Sequence, residues 1–115
     1  MKFDKPTLEA KAGAKVMLLF VNAKDPLLHN FVLFKPGKLA DYGAIADKML
    51  TDPQGMAKFY IPAGPDVIAK SSKLIMLGQS DLIEFTLPST PGDYPFVCTF
   101  PAHWRTMNGV LKVTP

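Results

Sequence analysis

The stretch CTFPAHWRTM, residues 98–107, holds the only cysteine of the chain, one of its two histidines and a methionine, with His103 five positions after Cys98 and Met107 four after His103. Thiolate and thioether sulfur suit copper, and imidazole suits both of its common oxidation states. Two imidazoles and a thiolate with a weak axial methionine make a one-electron copper site. The stretch supplies three of those donors, and His29 is the one remaining histidine that can supply the fourth.

Taken singly, these residues have ordinary readings. A lone cysteine is usually a small buried hydrophobe and a lone methionine core filler, and a one-residue match carries almost no information. Their joint placement is what counts, because a chain with one cysteine and two histidines puts all three where a four-donor site needs them. Zinc is the rival metal, but structural zinc sites close with cysteine, histidine or carboxylate. Methionine in the set points to copper.

Outward from this loop, Tyr94–Cys98 reads as a strand delivering the thiolate at its end, and Met107 opens a last strand over Gly109–Val113. Leu82–Leu87 alternates, with Ile83, Phe85 and Leu87 on one face and Glu84 and Thr86 on the other. His29–Phe34 reads as a strand with His29, Phe31 and Leu33 opposed to Asn30, Val32 and Phe34. The continuous apolar run Val16–Val21 is expected to be a core strand, and Lys2–Ala10, interrupted by Pro6, an edge strand. A short strand over Val67–Ala69 and an edge segment over Lys73–Leu77 complete the set. Between Gly37 and Leu50 the period changes, and Leu39, Tyr42, Ile45, Ala46 and Met49 recur at helical spacing. A loop over Thr51–Gly64 follows. Short strands separated by Pro/Gly turns indicate an all-β fold, an antiparallel β-sandwich, carrying one helix.

A chain of 115 residues makes one domain with a single core. Its 20% charged residues and net charge of +3 show no basic clustering, which excludes a nucleic-acid partner and at most favours an acidic redox partner. No apolar run is long enough to span a membrane, and Val16–Val21 is too short for a signal peptide. A copper enzyme needs a further histidine-rich centre for substrate, and both histidines are already committed. Copper storage favours open Met- or Cys-rich sites, which one enclosed site does not provide.

The segments LHNFVL around His29, DVIA at Asp66–Ala69, KLI at Lys73–Ile75 and YPFVCTFPAHWRTMNGVLKV over Tyr94–Val113 resemble the cupredoxins, and within them the azurin and auracyanin branch. The resemblance covers most of the chain, and the gap from Cys98 to His103 is similar to that of azurin rather than the shorter one of plastocyanin. It implies a Greek-key sandwich over 1–115 with a helical flap at about 37–64, one copper ion cycling between Cu(I) and Cu(II), and His29, Cys98, His103 and Met107 as its ligands. It further implies a weak axial carbonyl from Leu28 and supporting hydrogen bonds from Asn30 and Thr99, while the apolar residues flanking the loop, Leu27, Phe100, Pro101, Ala102 and Trp104, offer a partner patch around an exposed His103 edge, with Trp104 either a partner contact or packing over the site. The implied function is one-electron transfer without catalysis, as a free carrier or as the shuttle domain of a larger dehydrogenase or reductase. A cytochrome or a fused oxidoreductase domain would be the partner, and the location periplasmic or otherwise extracytoplasmic.

The chain departs from the family pattern at Leu28 and Ala102, where azurins have glycine, and at Trp104 and Arg105, which are bulkier than their azurin counterparts. MKFD aligns after a complete first strand of the family, so a neighbouring strand is expected to have an unpaired edge. Such an edge invites a second copy or further polypeptide, unless Lys2–Ala10 has shifted to fill it.

Overall fold

The computed structural model describes residues 2–115. Seven strands and one α-helix follow in the order β1 (Thr7–Lys11), β2 (Lys15–Val21), β3 (Val32–Phe34), α1 (Leu39–Met49), β4 (Val67–Lys70), β5 (Ser80–Thr86), β6 (Gly92–Val97) and β7 (Asn108–Thr114). They form a sandwich of a five-stranded sheet, ordered β1-β7-β6-β3-β4, and a two-stranded sheet, β2-β5. The β6–β7, β3–β6, β3–β4 and β2–β5 pairs are antiparallel, whereas β1 runs parallel to β7. That pairing corrects the all-antiparallel expectation at one edge. Pro6 lies outside the strand but still contributes its carbonyl, which accepts the N–H of Val110.

The strand periodicity divides the hydrophobic residues between two cores. Phe31 and Leu33 point between the sheets and pack with Ile83, Leu87, Tyr94, Phe96, Leu111 and Val113. Val32 and Phe34, one residue out of phase, point to the opposite face and pack with Tyr42, Ile61 and Val97 beneath α1. The Phe34 and Tyr42 rings stack at 4.1 Å and 14°, and the Tyr42 hydroxyl donates to the Lys35 carbonyl at 2.6 Å. The helix therefore lies outside the sandwich, seated on the back of the five-stranded sheet. Met49, at the end of the helix, is buried, whereas Met56, in a short 3-10 turn, is 54% exposed.

The run Val16–Val21 is not the fully buried strand its composition suggests. Met17, Leu19 and Val21 are 64%, 60% and 51% exposed, and the alternate residues Val16, Leu18 and Phe20 pack against the main core. Leu87 N–H donates to Ala14 and Asn22 N–H to Gln79. The even residues of β2 therefore bond toward β5, and the backbone groups of Lys15, Met17, Leu19 and Val21 point the other way. Among the described residues no strand occupies that outer edge, because β1 pairs with β7 instead. A cleft of about 700 Å³ adjoins β2 there, lined by Phe3, Leu18, Phe20 and Phe31 and reaching His29 and Met107.

Candidate metal centre

Three backbone features bring the donors together. His29 precedes β3 and exchanges both backbone hydrogen bonds with Ile75, at 3.2 and 2.8 Å, which pins it to the Lys73–Leu77 segment. Cys98 follows directly on β6, and its N–H donates to the Met107 carbonyl at 3.0 Å. Met107, the residue before β7, donates its own N–H to the His103 carbonyl at 2.8 Å, so the loop from 98 to 107 closes on itself.

The donor atoms converge. His29 Nδ1 lies 3.2 Å from His103 Nδ1, and Cys98 Sγ lies 3.9 and 3.6 Å from those two nitrogens. His29, Cys98, His103 and Met107 are all buried, at 4%, 0%, 4% and 3% exposure. Two nitrogens with no other listener and a thiol sulfur sharing one point form a cradle for a cation with soft and borderline donors. The proton inventory agrees. Burial, and then the neighbouring His29, holds the His103 imidazole below its ordinary pKa, so it is neutral with a lone pair to give. Burial pushes the Cys98 thiol up to about 11 despite the N–H groups of Asn30 and Phe100, so the thiolate needs a metal to replace its proton.

The surrounding bonds fix the donors in place. Asn30 is fully buried; its Oδ1 accepts the Thr99 N–H at 2.7 Å, and its Nδ2 donates to Phe59 O at 2.9 Å and Thr99 Oγ1 at 3.0 Å. Thr99 Oγ1 donates to Tyr60 O at 2.6 Å. The Asn30 N–H approaches Cys98 Sγ at 3.5 Å, a bond that favours the thiolate form. Phe59 and Tyr60 both lie in the left-handed region, with φ of 55° and 51°. This unfavourable conformation aims two successive carbonyls inward. Nothing in the residue types of that turn signals it.

Asp25 also escapes a reading by motif. Its carboxylate accepts from His29 Nε2 at 2.9 Å, which takes up the ring proton on the far side and leaves Nδ1 facing the cradle. The N–H of Leu27, and then His29 itself, hold this carboxyl below the usual carboxylate range.

The residues expected at a partner patch divide. Leu27 is 48% exposed, Ala102 is exposed, and Phe100 and Pro101 are half-buried. His103 is covered more deeply than an exposed edge implies, with the Phe100 ring 4.9 Å away. Ala102 has a φ of 70°, which explains why a glycine suits this position. The Trp104 ring packs against α1 and is half-buried. Leu28 is half-buried immediately before His29.

A family model described as copper-binding proteins, plastocyanin/azurin family, matches residues 1–114. The chain belongs to that family. It is 34% identical to auracyanin-A of Chloroflexus aurantiacus over 98% of its own length and 67% of the relative's. It is 36% identical to an azurin of Achromobacter denitrificans over 80% of its own length and 60% of the relative's. Among solved structures, auracyanin A of Chloroflexus aurantiacus, titled a "blue" copper protein, superposes with a TM-score of 0.82 at 34% identity, covering 97% of this chain and 88% of that one. The reduced auracyanin of Roseiflexus castenholzii gives the same TM-score at 32% identity, covering 99% and 88%. The fold of this cupredoxin is therefore that of auracyanin and azurin, its cofactor is copper, and its class is that of electron-transfer proteins rather than enzymes.

Proposed function

We propose that this cupredoxin carries single electrons between redox proteins outside the cytoplasm, with copper held by His29, Cys98, His103 and Met107. The observation that carries the reading is the convergence of two imidazole nitrogens and one thiol sulfur in a buried cradle, within 3.9 Å of one another. Bound copper supplies the Cu(I)/Cu(II) couple.

The chain's part is to keep the donors still. The His29–Ile75 bridge, the Met107–Cys98 and Met107–His103 backbone bonds and the Asn30–Thr99 pair each restrain a ligand segment. Little movement between oxidation states means a small barrier to electron transfer. Met107, buried at the end of the loop, would supply a weak thioether donor that tunes the potential. The Leu28 carbonyl, next to His29, would be the source of a further weak oxygen donor. Replacement of Met107 by leucine is expected to keep the colour and raise the reduction potential, because removing a donor destabilises Cu(II) more than Cu(I). A redox titration monitored by the visible band checks it, and an unchanged potential would remove Met107 from the ligand set.

Partners dock over His103, where Leu27, Phe100, Pro101 and Ala102 offer a small apolar surface suited to a transient encounter. A cytochrome or another oxidoreductase domain fits this chemistry. The experiment that tests the function is stopped-flow reduction and reoxidation of the copper form by a protein donor and acceptor, with Ala102→Glu beside the parent. The parent is expected to cycle by one electron per copper, and the variant to react about tenfold more slowly with an unchanged spectrum. A copper form that does not cycle would refute the carrier role; an unaffected variant rate would move the docking surface elsewhere.

A further inference from the structure

Trp104 directly follows the ligand His103, and its side chain runs away from the site onto the helix. A Cβ placed on Gly43 of α1 would lie 2.5 Å from three atoms of the Trp104 ring, so the indole sits on the bare backbone of the helix. Glycine inside a helix costs about 1 kcal/mol relative to alanine. Its presence at the one position that the indole covers is explained by this contact. One turn further along, Asp47 Oδ1 accepts the Trp104 Nε1–H at 2.9 Å. The Arg105 guanidinium covers the ring at 4.6 Å and reaches Asp47 Oδ2 at 3.8 Å. Asn108 Nδ2 donates to the carbonyls of both Trp104 and Arg105 at 3.1 Å. The loop residues after His103 are thus held on three sides.

The same helix is attached to the other ligand segment. Tyr42 stacks on Phe34 of β3, the strand that His29 and Asn30 lead into, and the turn beyond the helix supplies the Phe59 and Tyr60 carbonyls to Asn30 and Thr99. We propose that α1 is a clamp joining the two histidine-bearing segments, and that Asp47 is its positioning residue: by holding Trp104 it holds His103 against movement when copper changes oxidation state or leaves. The proposal rests on the ligand set given above. It assigns a role to a helix outside the sandwich, and it takes Trp104 out of the partner patch.

The test uses three variants of the whole chain, Asp47→Ala, Asp47→Asn and Gly43→Ala. Trp104 is the only tryptophan, so its fluorescence in the metal-free protein reports the latch without reference to copper. Asp47→Ala and Gly43→Ala are expected to shift its emission to the red and open it to a soluble quencher. Asparagine keeps the acceptor for Nε1–H and is expected to restore the parent emission; the Arg105 pair it gives up is exposed and contributes little. In the copper forms, release of Cu(I) to a chelator is expected to be about fivefold faster in Asp47→Ala and Gly43→Ala, the scale of one lost charged hydrogen bond at a half-exposed site, and near the parent rate in Asp47→Asn. A displaced indole with unchanged copper release and unchanged potential would overturn the clamp while leaving the copper assignment intact. An emission unmoved by Asp47→Ala would overturn the latch itself. A parent chain that binds no copper would instead overturn the ligand set.

Discussion

Substituting Cys98 by serine is expected to abolish the colour of the copper protein. The intense visible band of a Cu(II)–thiolate pair arises from charge transfer out of the sulfur, and Cys98 is the only thiol in the chain. The serine hydroxyl occupies the same place but is neither deprotonated by copper at neutral pH to a comparable degree nor polarisable. Two imidazoles remain, so the variant is expected to bind Cu(II) as a weak, pale complex. The cysteine is 0% exposed, and serine is slightly smaller, so the metal-free fold survives the change. Absorbance of the parent and the variant after one equivalent of Cu(II) decides the matter. Retention of the parent band in the variant would show that the thiolate is not the source.

Replacing Asn30 by alanine is expected to have the largest effect on stability. Asn30 is fully buried, and it alone bonds the Thr99 N–H and the Phe59 carbonyl from within the site. Alanine removes the partner of both, and each buried group left orphaned costs about 1–3 kcal/mol. The expected loss is on the order of 4 kcal/mol, against about 1 kcal/mol for a typical substitution. Urea denaturation of the metal-free protein measures it. The Asn30 backbone N–H still faces Cys98 Sγ in the variant, so the copper band is expected to persist. A loss below about 1 kcal/mol would mean that the bonds between Asn30 and the Phe59–Thr99 pair are not holding the ligand segments together.

The ligand loop is legible because its residues are rare in this chain and their spacing is local. Strand β5 is legible for a related reason: in Ile83–Leu87 one face is apolar and the other polar, so the period is written out. In KVMLLFV both faces are apolar, and composition conceals that Met17, Leu19 and Val21 point to solvent. The open edge beside them is a consequence of topology, since β1 pairs with β7, and no pattern within Thr7–Lys11 distinguishes that partner from β2. Contacts that join distant residues were equally silent. Asp47 and Trp104 lie 57 positions apart, and only the glycine inside an otherwise good helix hints that something large lies across it. Asp25, four residues before His29, reads as a turn former, and its bond to Nε2 depends on how the loop folds back.

Trp104 also shows why a bulky residue in a ligand loop is ambiguous by sequence. An exposed indole beside a redox site would be a natural docking contact, but a hydrogen-bond acceptor and a bare helix backbone claim this one. A tryptophan N–H turned toward the protein seeks a partner, and Asp47 accepts this one at 2.9 Å. The proposed docking surface is thereby confined to the other side of His103, toward Leu27 and Ala102.

X-ray absorption at the copper edge of the one-to-one complex, recorded in both oxidation states, tests the ligand set most directly. The account predicts a near shell of two imidazole nitrogens and one sulfur that changes little on reduction, and loss of the sulfur in Cys98→Ser. A near shell without sulfur in the parent protein, or one rebuilt on reduction, would contradict it.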